Sequence, residues 1–236
     1  MTDIKWKSVT IRLEKIKNKY CDTYFSLQQQ NPNWKKTDAR LAIFIKCKNV
    51  LRSTELGAVL TRDHAQQKDW WKQFGDITNN ETKIIIDETL ESFNKTLRFS
   101  LVFFLFSMIE SSFRAIVKSM DHTAYENTKR SFKNMYSWLL SPRHITLDSN
   151  EYEKLLDILR LYRNSFHNNG VYLPDNPGNT TIHYKNKQFD FIDGKNMSFD
   201  TWDNYLNLVE DVHDMLESIV KANEIIIIQN IPSFEQ

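Results

Sequence analysis

Arg160, Arg163, Asn164 and His167 are the residues of this sequence whose types and spacing best fit chemistry. They stand at i, i+3, i+4 and i+7, so a helix turning about 100° per residue puts them on one stripe. A histidine titrates near neutral pH and can move a proton. An arginine grips phosphate through paired hydrogen bonds and keeps its charge. Together these groups fit cleavage of an RNA strand by its own 2′-hydroxyl. One group takes the hydroxyl proton, another protonates the leaving 5′ oxygen, and cations stabilise the phosphorane. A single histidine does not easily fill both roles. Two protomers paired about a twofold axis would place two histidines and at least two arginines in one cleft. Arg163 and His167 are one turn apart. Arg160 lies two turns below His167, with a side chain long enough to reach the same phosphate. Near a helix C-terminus the macrodipole favours the imidazolium, whereas Arg163 opposes it. Which histidine serves as base therefore stays open, and such residues are also ordinary complements of a helix dipole.

The element that must position them is a helix over 148–168, with Asp148 or Ser149 at its N-cap and Glu151 in its first turn. Tyr152, Leu155, Leu159, Tyr162 and Phe166 form its apolar stripe, about 100° from the basic one, and should face the core. Asn168-Asn169-Gly170 accepts the left-handed backbone of a helix end. Periodicity predicts further helices over 8–30, 37–60, 80–120 and 125–140, the second capped by Thr37 or Asp38 and the last stopped by Pro142. The segment 63–74 reads as helix and turn, with Trp70 and Trp71 as packing residues. The basic face of 8–30, with Lys15, Lys17 and Lys19, reads as solvated. Beyond Leu173 the pattern changes. Residues 181–184 and 188–191 alternate with period two and predict a hairpin. Ser198 or Asp200 caps a final helix to about Ala222. The four isoleucines within 224–229 predict a short strand.

The reading is one domain over 1–236, mainly α: a helical bundle over 8–170, with a small hairpin, final helix and strand over 173–232. Five glycines in 236 residues, well under the usual share of roughly 7%, support helices with simple connections. A net charge of +1 provides no global basic field, so nucleic acid would need a local patch. Cys21 and Cys47 predict reduced thiols rather than a disulfide framework, and no cluster has zinc-ligand spacing, so no metal or cofactor is expected. His122, His144, His183 and His213 are scattered. There is no phosphate-cradling glycine motif and no nucleophile elbow. No signal peptide is visible after Met1, and the apolar run 99–109 is too short to span a bilayer, which needs about 20 residues. The expectation is a cytoplasmic protein with no membrane contact.

Arg163-Asn164-Ser165-Phe166-His167 resembles the motif of the HEPN superfamily (higher eukaryotes and prokaryotes nucleotide-binding). That motif is an arginine, usually followed by a polar residue such as asparagine, then a histidine after a gap of four to six residues, near a helix end. Three residues separate Arg163 from His167, one short of that gap, while Arg160 has six before His167. Either arginine fits; Arg163 is preferred for its following Asn164 and its closeness to His167, with Arg160 supporting. The helix over 80–120 also sets Ser107, Glu110, Ser111 and Arg114 at i, i+3, i+4, i+7. HEPN proteins often carry an acidic residue on the helix packed against the motif, and Glu110 matches in type. A carboxylate in an apolar helix needs a partner: Arg114, or Arg160 or Arg163 across the interface. The resemblance covers residues 81–170. It implies a helical bundle and a metal-independent endoribonuclease acting on RNA as a homodimer. It also implies a toxin or anti-phage defence effector with an antitoxin or defence-system partner protein. The other reading is a non-catalytic HEPN-like module that binds nucleic acid or protein in a defence complex.

Overall fold

The computed structural model describes residues 6–65, 67–72, 80–147 and 150–233. The protein is mainly helical with a small two-stranded antiparallel sheet. Its helices are α1 (Trp6–Gln30), α2 (Ala39–His64), α3 (Lys68–Trp71), α4 (Asn80–Met120), α5 (His122–Thr128), α6 (Phe132–Leu139) and α7 (Asn150–Phe166). The hairpin β1 (Thr180–Tyr184) and β2 (Lys187–Phe191) follows, then α8 (Trp202–Lys221) and α9 (Asn223–Ile226). In the hairpin Ile182 pairs with Phe189 and Tyr184 with Lys187.

Helix α4 organises the rest. At 41 residues it is about 60 Å long, and it packs on α2, α5, α6, α7 and α8. Leu101, Val102, Leu105, Ile109 and Phe113 are at most 1% exposed. Each buried side chain of that size contributes roughly 1.5–3 kcal/mol through removal from water. The helix around the run 99–109 is longer than the run itself. Over Ile84–Met120 it is long and apolar enough to cross a membrane by length and composition, and 56% of its most apolar window is buried inside the protein. A helix touched by five others needs that apolar surface. α1 and α2 form the largest helix–helix contact, and α1 also packs on α8. One cluster of buried side chains runs from Val9 to Ile231.

Local chemistry explains where boundaries fall. Asp38 caps α2, accepting from the Arg40 amide at 3.0 Å. The 125–140 segment is two helices, because Ser131 accepts from the Asn134 amide and restarts the chain at Phe132. Thr201 caps α8 in place of Ser198 or Asp200, and Asp200 instead receives Arg98 at 2.7 Å. The N-cap expected at Asp148 or Ser149 lies outside the described residues, as do Gln73 and Phe74. Trp71 is buried, with its indole N–H on the Ala65 carbonyl at 2.8 Å, as a packing residue should be.

The isoleucine strand is corrected: Asn223–Ile226 is a short helix, not a strand, and it does not pair with the hairpin. The Arg40 guanidinium takes the Ile225 carbonyl at 3.0 Å and the Ile228 carbonyl at 2.7 Å, which removes them from any ladder. The tail's bridge is made further on, between Asp38 and Pro232. Tertiary partners here override β-propensity.

Candidate functional site

Helix α7 is built as its periodicity requires. Leu155, Leu159 and Tyr162 are buried, and Tyr152 and Phe166 are half-buried against the core. Glu151 and Glu153 occupy the first turn and Arg163 the last, each complementing the dipole. Past Phe166 the chain closes tightly. The Asn168 and Gly170 amides both donate to the Ser165 carbonyl, at 3.0 and 2.9 Å. Asn169 and Gly170 take φ of 55° and 87°, the left-handed helix end that the Asn-Asn-Gly run predicts.

This end is fastened to α4. The Phe166 ring meets Phe99 and Phe103 at 5.5 Å each, and Tyr162 meets Phe99 at 5.4 Å. Lys95 donates to the Asn169 carbonyl at 2.9 Å. Gly170 lies so close to Phe99 that a Cβ there would sit 2.8 Å from the ring. His167 follows directly on the last helical residue, so its backbone is held on both sides.

His167 is exposed, with its ring 6.4 Å from that of Phe103. The Arg163 guanidinium stands 6.0 Å from the centre of the same Phe103 ring. The Phe103 ring thus lies within 6.4 Å of both groups. Asn164 is exposed, and its Oδ1 is 3.5 Å from an Arg163 Nη, a long contact. Among the described residues Arg163 has no carboxylate within ion-pair distance, and its Nε is buried with no acceptor. A buried donor without a partner is costly.

Arg160 is placed differently. Its Nη2 binds Asp157 at 2.9 Å, and its Nε approaches Asp157 and the Tyr136 hydroxyl at 3.3 and 3.4 Å. Tyr136 itself donates to Asp157 at 2.7 Å. Burial lowers the Arg160 pKa, but the Asp157 and Tyr136 bonds outweigh it and leave it raised. Burial, then Asp157, push the Tyr136 phenol well above its ordinary value. Arg160 is thus engaged within its own subunit, and the structure does not join it to Arg163.

Glu110 and Arg114 pair with each other, at 2.5 and 3.2 Å, and Arg114 also donates to the Lys129 carbonyl. The intrahelical partner is the one found, and Glu110 makes no ion pair with Arg160 or Arg163. Phe103 is the site residue that sequence reasoning missed. It sat inside an apolar run read as core, and only its position four residues beyond Phe99 hints at a shared partner on α7.

No family model, curated protein or solved structure matches this chain.

What the site can do rests on its own geometry: one exposed imidazole, one guanidinium without a counter-ion among the described residues, and an aromatic ring near both. Two other places invite comparison. A cavity of about 310 Å³ between the hairpin turn and α8 is lined by Tyr184, Lys185, Phe189, Asn204 and Asp211, among others, none from α4 or α7. Lys185 pairs there with Asp211, Lys187 donates to the neutral Asn204 amide, and the described lining holds no histidine and no arginine. His213, Asp214 and Glu217 bring ligand atoms within 4.8 Å of one another. Lys19 already pairs with Asp214 and Lys221 with Glu217. The His213 ring nitrogens contact Thr23 and Asp214, so this group is a satisfied cluster at a helix contact. Cys21 and Cys47 are free thiols, and burial pushes the Cys47 thiol well up, leaving it protonated.

Proposed function

We propose that this chain is a metal-independent endoribonuclease of the HEPN type, with Arg163 and His167 as catalytic residues. Asn164 orients Arg163. The observation that carries the reading is the exposed imidazole beside an arginine without an acid partner, both within 6.4 Å of the Phe103 ring at a rigidly closed helix end. Arg163 holds a non-bridging oxygen of the scissile phosphate and offsets the charge gained at phosphorus. The 2′ oxygen attacks phosphorus, its proton passing to one imidazole. The P–O5′ bond breaks, and the 5′ oxygen takes a proton from a second histidine. The products are a 2′,3′-cyclic phosphate and a 5′-hydroxyl.

One protomer supplies one such imidazole, so the active species is a homodimer whose twofold axis joins two α7 ends. Arg160, held by Asp157, and the Glu110–Arg114 pair have supporting roles outside the reacting groups. The biological setting that suits this chemistry is a toxin or anti-phage effector in the cytoplasm, held in check by a partner protein.

The test is incubation of purified protein with RNA in EDTA, beside His167→Ala and Arg163→Ala. Cleavage should survive chelation and fall about 10²–10⁴-fold in His167→Ala, the usual worth of a positioned proton-transfer group, and about 10²–10³-fold in Arg163→Ala, that of a charge-stabilising donor. Its rate should pass through an optimum in pH. After subunit exchange with His167→Ala, activity should fall as the square of the wild-type fraction, because each cleft needs two imidazoles. Intact RNA that still shifts on a gel would sink the nuclease and assign the chain to non-catalytic binding.

A further inference from the structure

Asn204, Asn207, Leu208 and Asp211 stand at i, i+3, i+4 and i+7 on α8, so they share one stripe of that helix. The hairpin turn is fastened to this stripe, Lys185 to Asp211 and Lys187 to the Asn204 Oδ1 at 2.9 Å, and the cavity of about 310 Å³ is lined by both. That volume is at the lower end of the range for ligand pockets, about 300–1,000 Å³, room for one small molecule. Tyr184, Phe189 and Leu208 give it an apolar wall, each at most 4% exposed. The walls are held from outside. The Lys185 amide donates to Glu151 at 3.1 Å, and the Asn204 side-chain amide donates to the Phe199 carbonyl at 3.0 Å.

The polar part of the lining is unevenly spent. Asp211 has Lys185, and Glu210 has Arg12 at 3.5 Å. Asn207 gives its Oδ1 to Arg12 at 2.8 Å, which leaves its Nδ2 donor over. Among the described residues Lys187 has no carboxylate within ion-pair distance, only the neutral Asn204 oxygen. Lys187 pairs with Tyr184 across the hairpin, so the two share one face of the sheet. Both carboxylates of the lining are matched by cations, and the capacity left over is a set of donors beside aromatic rings.

We propose that this cavity binds a small organic anion, a carboxylate or phosphate monoester carried on a planar ring. The anion takes Lys187 and the Asn207 Nδ2, and the ring lies against Tyr184 and Phe189. A cationic ligand would meet Lys187 and two carboxylates already paired. The site shares no lining residue with Arg163 and His167, so it stands or falls apart from the nuclease reading.

The test is calorimetric titration of the full chain with phenyl phosphate and with indole-3-acetate, two arms that separate the phosphate from the carboxylate source. At least one should bind saturably, and Lys187→Gln should weaken it about 10- to 150-fold, the worth of one charge-assisted hydrogen bond. Asn207→Asp keeps an oxygen for Arg12 and removes the donor, and should weaken binding too. Phenol and indole, which lack the anion, should not distinguish wild type from Lys187→Gln. Amide chemical shifts should move in the hairpin turn and along the α8 stripe. Failure of both probes to saturate at millimolar concentration overturns the site, and so does binding that Lys187→Gln leaves unchanged. Shifts confined to the end of α7 would overturn it as well and assign the anion to Arg163. Inorganic phosphate bound as tightly as phenyl phosphate would remove the ring from the proposal.

Discussion

Arg40 and Arg163 carry the same guanidinium in opposite circumstances. Arg40 is fully buried, with Nε and Nη2 on the two Asp38 oxygens at 2.8 and 2.7 Å. Its Nη1 takes the Ile225 and Ile228 carbonyls, and the Trp34 ring lies 3.8 Å from its centre. Arg163 is half-exposed, with one long contact to Asn164 and an orphaned Nε. The histidines divide in the same way. His213 is 0% exposed and wedged against Tyr20 at 4.8 Å, while His167 stands in solvent. The α1–α2–α8 side of the molecule uses its polar groups to join chain segments far apart in sequence. The α4–α7 side holds an arginine and a histidine in place by packing and leaves their bonding capacity open. Residue type alone does not mark a functional group; unspent hydrogen-bonding capacity on a rigid support does.

Removing the two arginines in turn is the strongest way to break this contrast. Arg40→Ala leaves the Asp38 carboxylate, itself 1% exposed, without its cation and frees the carbonyls of Ile225, Ile226 and Ile228. Loss of one member of a buried pair costs about 3–5 kcal/mol. Arg163→Ala should change stability by no more than about 0.5 kcal/mol, as a surface substitution does, while it removes cleavage. Urea denaturation of both variants gives the two numbers. Equal losses would show that Arg163 is structural and would end its role as a phosphate ligand.

The α7 stripe was legible because its pattern is local. Five apolar positions at helical spacing, a polar face beside them and Asn-Asn-Gly at the end all follow from one helix, and the described residues follow them. The hairpin was legible for the same reason. The partner of Glu110 was open, since a neighbour at i+4 competes with residues across an interface, while Arg160 was read as reaching toward the phosphate and Asp157 at i−3 was not weighed. In both cases the near residue won: Asp157 and Arg114. The tail was misread because the fate of Ile225–Ile228 is decided by Arg40, some 185 residues earlier. Nothing within the isoleucine run announces a buried guanidinium. Phe103 was hidden by the run it belongs to, because its composition says buried for all and only packing shows which ring lies at the rim.

Gly170→Ala sharpens the contrast on the other side, by loosening the support rather than the chemistry. Its φ of 87° suits glycine, and the added methyl would meet Phe99 at 2.8 Å. The expected loss is about 1–3 kcal/mol of stability, from the backbone conformation and the displaced ring. Because His167 lies three residues earlier in the same closed turn, cleavage should fall more than the folded fraction does. That comparison is made by rate measurement at a temperature where both proteins are folded by circular dichroism. Unchanged cleavage with reduced stability would mean that the imidazole does not depend on the helix end for its placement.

The smallest expected effect concerns His213 and is read as a slope with pH. A carboxylate can only accept, so the Asp214 contact at 3.0 Å puts the proton on Nδ1 of the neutral ring, and Nε2 accepts the Thr23 hydroxyl at 2.9 Å. Burial lowers the His213 pKa below 6.5, with Lys19 acting the same way and Asp214 and Glu217 opposing. Tyr20 and Phe44 close the remaining sides. With the native value depressed, the unfolded chain binds more protons just below pH 6.5. The stability is then fully present above 6.5 and is lost as pH falls toward the native value. Asp214 is itself held below 3.8: burial raises it, and the Lys19 and His213 bonds outweigh that, so its own loss comes at lower pH. Denaturant midpoints at pH 7.5 and 5.5 should show wild type weaker at the lower pH, with a smaller difference in His213→Gln. His167→Gln serves as the comparison substitution, at a ring that stands exposed. If both substitutions flattened the slope equally, saturation would no longer separate the two histidines.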